Sequence, residues 1–360
     1  MSKYWSKMAM QTDPYVPGEQ IDQTGIIKLN TNENPYPPSP HVVNAIRHEM
    51  DRKLQLYPSP TVDALRETIA DRYQLMKENV FVGNGSDEVL GFSFMAFFDQ
   101  EKKIRFPAIT YSFYPVYAKL FDIPYEEISL TRDFTIPVDA FFQSEGGVIF
   151  PNPNAPTSIY LELEHIIEII GNNPDQVVIV DEAYIDFAGG GSAATLIDTY
   201  DNLLVVQTMS KSRSLAGLRI GFALGNADLI EGLTRIKNSF NSYTLDRLAI
   251  AGAEAAINDN DYFLQTTEKV VQTRNWVITK LKKSGFTVLP SQTNFIFISH
   301  YKLQAEWLYE KLKDNGVLVR HFNKIPIENY LRITIGTDED MNIFFRKLNE
   351  VIANKQVSTP

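Results

Sequence analysis

The residues best able to do chemistry stand at the ends of short apolar runs. Lys211 lies in Ser210-Lys211-Ser212-Arg213-Ser214, just past the run that ends at Thr208. Solvated lysines sit on helix faces, and a lysine beside a buried strand is costly to keep charged. Once desolvated, its amine titrates low and becomes a nucleophile toward an aldehyde. Arg219, eight residues on, can return to the same cleft as a fork for a doubly charged phosphate. Asp181 closes the run Val177-Val178-Ile179-Val180 and precedes Glu182-Ala183-Tyr184. A carboxylate there caps a helix, pairs with a basic residue, or faces a cation deep in a cleft.

Two loops add to this set. In Gly83-Asn84-Gly85-Ser86-Asp87-Glu88 the glycines permit a tight turn. The amides of Gly85, Ser86 and Asp87 would then point from a helix N-terminus, an anion site; an N-cap without a ligand explains the turn equally well. Glu88 replaces the third glycine of a dinucleotide fingerprint, and no Gly-Lys-Ser/Thr follows, so neither a dehydrogenase pattern nor a P-loop is met. In Pro151-Asn152-Pro153-Asn154-Ala155-Pro156-Thr157 the prolines fix a turn. Asn154 is placed either to bond a ring hydroxyl or oxide or to close an Asx-turn. An amine nucleophile, a buried acid, a dianion cradle and an amide form the set that pyridoxal 5′-phosphate (PLP) requires.

Positioning these groups demands an open α/β sheet, whose ligands collect at the carboxyl ends of its strands. The spacing predicts strands at 79–82, 103–106, 147–150, 176–180, 203–208 and 220–225, with segments between several of them long enough for crossover helices. Runs apolar throughout suit strands covered on both faces, the habit of parallel sheets. The fold class expected is α/β: a large domain over 31–257 with a mostly parallel mixed sheet. A smaller α+β domain takes residues 1–30 and 258–360. Its elements are an amphipathic helix at 263–283, strands at 293–299, 317–320 and 330–335, and another helix. The stretch before residue 30 reads as irregular. Residues 30–40, rich in Asn and Pro, read as a rigid loop lining a cleft, 90–98 as a buried helix, and 354–360 as a frayed tail.

Composition narrows the function classes. Lys and Arg number 34 against 44 Asp and Glu, a net charge of −10, with no dense basic run, so nucleic acid and anionic membrane are not expected partners. The absence of Cys removes disulfides, thiolate zinc sites and a Cys nucleophile, and suits a reducing, cytoplasmic setting. No metal is implied. The first fifteen residues lack the apolar core of an export signal, and no apolar stretch approaches the roughly 20 residues a bilayer demands.

From about Lys28 to Thr337 the chain resembles the fold type I PLP-dependent aminotransferases and, within them, the histidinol-phosphate aminotransferases. The resemblance implies that Lys211 carries the cofactor aldehyde, Asp181 keeps the ring nitrogen protonated, and Asn154 and Tyr184 bond the ring oxygen. Ser210, Arg219 and the Gly85-Ser86-Asp87 turn would take the phosphate, with Tyr111 stacked on the ring. Tyr57, in Leu56-Tyr57-Pro58-Ser59-Pro60, resembles a tyrosine sent into the neighbouring subunit's site, which implies a homodimer. Arg332, Arg320, Asn34 and Tyr36 would form the substrate pocket. Alternation along 331–335 sets Arg332 and Thr334 opposite Leu331, Ile333 and Ile335. Ala155 and Ser158 depart from the family's Asn-Pro-Asn-Asn-Pro-Thr-Gly turn, and Ser212-Arg213-Ser214 is more polar than usual. The reaction implied moves the amino group of L-histidinol phosphate to 2-oxoglutarate, giving imidazole acetol phosphate and L-glutamate. An aromatic amino-acid aminotransferase, a threonine-phosphate decarboxylase and a non-enzymatic PLP-holding regulatory protein are the alternatives.

Overall fold

A computed structural model describes residues 3–14, 18–19, 25–50 and 52–357. Seven strands form the main sheet: β1 (Val80–Asn84), β2 (Ile104–Pro107), β3 (Tyr125–Ile128), β4 (Val148–Pro151), β5 (Val178–Asp181), β6 (Leu203–Thr208) and β7 (Ile220–Gly225). Their order is β1-β7-β6-β5-β4-β2-β3. All neighbours run parallel except β7, which is antiparallel to both β1 and β6. After a short N-terminal helix, Lys7–Gln11, come the helices α1 (Pro40–Glu49), α2 (Asp63–Tyr73), α3 (Gly85–Phe97), α4 (Phe113–Leu120), α5 (Leu163–Gly171), α6 (Ala227–Phe240), α7 (Arg247–Asn258), α8 (Asn260–Lys283), α9 (Ala305–Asp314) and α10 (Asp338–Val357).

Two-residue alternation explains how apolar runs serve both faces of this sheet. Val178, Val180, Leu203 and Val205 belong to one core with residues of α1, α2, α5 and α7. Ile179, Leu204 and Val206 belong to another with α3, α4 and α6. With helices on both sides no strand of the middle needs a polar face.

A second sheet of four antiparallel strands has the order β10-β11-β9-β8, made from β8 (Phe286–Val288), β9 (Phe295–His300), β10 (Arg320–His321) and β11 (Leu331–Thr334). Its core holds Ile296, Ile298, Leu331, Ile333 and Ile335 against α8, α9 and α10. The α8 start is capped by Asp259, which accepts from the Tyr262 amide, and Lys280, Lys282 and Lys283 fill its last turn, matching the helix dipole at both ends. Residues 29–39 contain neither helix nor strand, in keeping with their Pro and Asn content.

Some expectations need correction. The single strand predicted at 317–320 is two: Val317–Leu318 pairs in parallel with Ile27–Lys28, while β10 joins the four-stranded sheet. The edge strand β3 has an exposed centre, so its residues show no apolar run. The stretch before residue 30 contains a helix, Lys7–Gln11, whose Ser6 cap accepts from the Ala9 amide at 3.2 Å. The rest of that irregular reading falls partly on 1–2, 15–17 and 20–24, outside the described residues. The tail expected to fray is helical to Val357, and 358–360 again lie outside. Among the described residues no helix is long and apolar enough to cross a membrane, and no group of three or more His, Cys, Asp or Glu could hold a metal ion.

Candidate active site

The carboxyl ends of β4, β5 and β6 open into one cavity with the α3 N-terminus on its rim. Ser86, Asp87, Tyr111, Asp181, Tyr184, Ser210, Lys211 and Arg219 all line it. Residues separated by as much as 133 positions in the sequence thus meet because parallel strands deliver all their carboxyl ends to the same edge.

Lys211 is partly buried, and its Nζ donates to the Thr31 carbonyl at 3.2 Å. Burial, with the Arg332 guanidinium adding to it, lowers its pKa to about 8 against the opposing pull of Glu33 and Asp87. The amine is therefore far more nucleophilic at neutral pH than a solvated lysine. Asp181 is only 4% exposed. The Tyr114 hydroxyl donates to its Oδ2 at 2.9 Å and the Ala183 amide to its Oδ1 at 3.2 Å, and neither partner is a cation. Burial raises its pKa to about 6 against those two donors. This acid is held ready for a positive charge that the protein itself does not place beside it.

The cradle at the α3 N-terminus is shaped by two glycines. Gly85 has φ +78°, and a Cβ there would come 2.5 Å from Arg219 Nη2. A Cβ on Gly221, in β7 beneath, would collide with the Ser86 amide nitrogen. Asn84 does not cap the helix with its side chain; it donates to the Thr244 carbonyl instead. The first amides of α3 therefore keep their outward capacity, which suits an anion. Arg219, itself in the left-handed region at φ +56°, reaches Asp87 Oδ2 at 3.0 Å and lies 3.5 Å from Ser210 Oγ. Asp87 Oδ1 accepts from the Tyr111 hydroxyl at 2.6 Å. One carboxylate thereby fixes both the guanidinium and the aromatic ring.

Tyr184 accepts from Asn32 Nδ2 at 2.9 Å, and its ring centroid is 6.0 Å from Lys211 Nζ. Asn154 is buried, with Nδ2 donating to the Ile109 carbonyl and to Thr157 Oγ1, and with Oδ1 unpartnered. As folded its side chain offers an acceptor, which suits a ring hydroxyl; the alternative of a ring oxide would set acceptor against acceptor.

A planar aldehyde-bearing ring with a dianionic tail fits the residues around this cavity: an amine of lowered pKa, an acid without a cation and an uncapped helix start. Asn154 does not line the cavity itself; its neighbour Ala155 does. The whole chain bears comparison with known proteins. Residues 24–348 match the family described as aminotransferase class I and II. The chain belongs to the class I and II aminotransferases. A histidinol-phosphate aminotransferase of Oceanobacillus iheyensis is 60% identical over 98% of this chain and 99% of its own length. One from Clostridium botulinum strain Okra is 56% identical over the same shares. In three dimensions the chain is similar to the histidinol-phosphate aminotransferase of Sinorhizobium meliloti, solved in complex with pyridoxal-5′-phosphate. The TM-score is 0.87 at 23% identity, over 98% of this chain and 99% of that one.

Not every residue expected at the site of this aminotransferase lines the Lys211 cavity. Asn34 uses its amide to hold the chain around the lysine, donating to the carbonyls of Lys211 and Ser212 at 3.0 and 3.1 Å and accepting from the Tyr36 amide. Tyr36 packs against the small-sheet core with the Lys269 ammonium 5.4 Å from its ring centroid. Arg320 borders a neighbouring cavity with Asp13, Ile109 and Lys324. Arg332 pairs in register with Arg320, donates to the Asn30 carbonyl at 2.9 Å and lies over the rings of Phe295 and Phe322. Tyr57 is 79% exposed and stacks on Tyr243 with centroids 4.6 Å apart. Thr208, unforeseen, lines the Lys211 cavity. Its hydroxyl accepts from the Ser210 amide and donates to the Ile220 carbonyl. A hydroxyl at the last position of a strand feeding a reactive lysine was its available signal. Tyr114 and Tyr117 were missed because a buried phenol reads as core.

Proposed function

We propose that this aminotransferase, with PLP, transfers the amino group of L-histidinol phosphate to 2-oxoglutarate, yielding imidazole acetol phosphate and L-glutamate in histidine biosynthesis. The observation that carries the reading is the convergence of Lys211, Asp181 and the Arg219 cradle on one cavity, in a chain 60% identical to a relative named for that activity.

Bound there, PLP would supply an aldehyde for the amine and an electron-poor ring to take up the electron pair released at the substrate Cα. Lys211 would hold the aldehyde. As a neutral amine it would also act as the base that takes and returns the proton at the substrate Cα. Asp181 would keep the ring nitrogen protonated, so its loss should lower kcat far more than it raises KM. Ser210 Oγ, the Arg219 fork and the Gly85-Ser86-Asp87 turn would bind the phosphate, with Tyr111 against the ring, Tyr184 and Asn154 at the ring oxygen. Arg332, with Arg320, Tyr36 and Asn34 around it, would select the substrate phosphate. We assign 31–257 to a large domain and 1–30 with 258–360 to a small one, and place the enzyme in the cytoplasm as a homodimer in which Tyr57 completes the partner's site.

Purified protein should be given L-histidinol phosphate, phenylalanine and threonine phosphate in turn with 2-oxoglutarate, while glutamate and CO₂ are measured. The reading expects glutamate formation fastest from histidinol phosphate and no CO₂. Preference for phenylalanine would make it an aromatic aminotransferase, CO₂ release a decarboxylase, and PLP binding without turnover a regulatory protein.

A further inference from the structure

Asp181 must serve as an anion from a place that disfavours one. Desolvation and the Asp87 carboxylate both push its pKa upward; the Tyr114 hydroxyl and the Ala183 amide oppose them. The phenols of Tyr117 and Tyr184 also lie within electrostatic reach of it. Of the two opposing donors, the amide belongs to the chain's own turn and would be present with any side chain at 114.

Tyr114 is 0% exposed in the first turn of α4. Its ring is held by Phe94, Phe106 and Tyr111, with centroids 6.4, 6.0 and 5.9 Å away. Phenylalanine would satisfy that packing, and the surrounding cluster uses phenylalanine freely. What the hydroxyl adds is a single bond, 2.9 Å to Asp181 Oδ2. Burial and the neighbouring carboxylate hold the phenol's own pKa well above its ordinary value, so it remains a protonated donor. With Oδ1 held by the Ala183 amide, both carboxylate oxygens are pinned and the plane of the group is set. Tyr111 and Tyr117, three residues to either side, donate to the Asp87 side chain and the Asp87 carbonyl. One aromatic segment thus braces both the acid and the start of the phosphate cradle.

We infer that Tyr114 is a positioning residue for the proposed transamination: its hydroxyl orients Asp181 and supplies the side-chain donor that keeps this carboxylate anionic toward the cofactor ring. The inference rests on the PLP reading of the cavity. An O–H bond to a carboxylate in a dry site favours the charged form, and its removal leaves the burial cost unopposed.

The test uses the full chain, first without cofactor and then loaded with PLP, as parent and Tyr114→Phe. In the cofactor-free chain, infrared difference spectra follow the Asp181 carboxyl, identified by its disappearance in Asp181→Asn. The Tyr114→Phe midpoint should move upward by about one pH unit or more. In the loaded enzyme kcat should fall about tenfold with KM nearly unchanged, and the pH profile of the cofactor absorbance should shift in parallel. In an Asp181→Asn background Tyr114→Phe should cost little further activity. A midpoint that stays put, or a loss that simply adds to that of Asp181→Asn, overturns the inference. Should Tyr114→Phe fail to fold, 3-fluorotyrosine at position 114, a stronger donor, must move the midpoint downward, and no movement is again fatal. A parent that does not take PLP defeats the reading of the cavity, yet the cofactor-free midpoints still decide the role of Tyr114.

Discussion

At the scale of single residues, burial moves the pKa values of the site's acid and amine away from their ordinary range. Asp181 has a folded pKa of about 6 against a starting value of 3.8. The folded chain therefore binds an extra proton between those values, and the group's contribution to stability is lost as pH rises from about 4 to about 6. Above that the loss is constant. In cofactor-free protein, the unfolding free energy of Asp181→Asn relative to the parent should improve on the order of 2 to 3 kcal/mol between pH 4 and pH 7, measured by denaturant titration. Glu182, also buried and pushed to about 7, is present in both chains and cancels. A pH-independent difference would count against the burial of the Asp181 charge. Lys211 and Asp181 were legible from the sequence because a charged residue closing an apolar run is itself an anomaly. Tyr114 was not, since only the folded chain shows which atom its hydroxyl meets. Asn34 was read as a pocket wall, and its type gave no hint that backbone carbonyls 177 and 178 positions away would take its amide.

Elements carry the site by bringing backbone close to backbone. Beneath the α3 start, β7 passes so near that Gly221 has no room for a Cβ against Ser86 and Gly85 backbone, which cannot swing aside. Gly221→Ala should cost about 1–3 kcal/mol of stability and weaken PLP binding, read by denaturation and by spectral titration. In Gly91→Ala, within α3, the new methyl would meet only the Tyr117 ring, Cε1 at 3.6 Å and Cζ at 3.9 Å, both ordinary contacts. That variant should be stabilised by about 0.5–1 kcal/mol with PLP affinity unchanged. Equal damage from both would detach the cradle from this close approach. The strands around the cavity were legible because burial on two faces leaves unbroken apolar runs. The edge strand β3 was not, because exposure leaves no such mark. Ser158 shows the same limit in a loop. It stands where the related turn has Gly, at φ +68°, and its one hydroxyl proton is within reach of the Thr157 carbonyl and of the Pro290 carbonyl at 3.2 Å. Either bond accompanies a backbone that glycine adopts without strain.

For the molecule as a whole, the seven-stranded and four-stranded sheets, each packed against its own helices, are joined around the site. Arg274 in α8 donates from Nη1 to the Phe187 and Thr293 carbonyls, bridging the segment after β5 and the approach to β9. The exposed Tyr57 completes the proposed arrangement only through a second copy. Mixing Lys211→Ala chains with Tyr57→Ala chains should restore about a quarter of parent activity, because half the dimers are hybrids and each hybrid has one intact site. No recovery on mixing would argue that Tyr57 serves its own chain. The central claim, that the amine of Lys211 holds PLP, can be read directly by mass. Loaded protein is reduced with borohydride, which locks the cofactor onto the amine that carries it, then digested and analysed by tandem mass spectrometry. The account predicts the reduced cofactor on the peptide containing Lys211 and none in Lys211→Ala. A label on another lysine, or none in the parent, would contradict it.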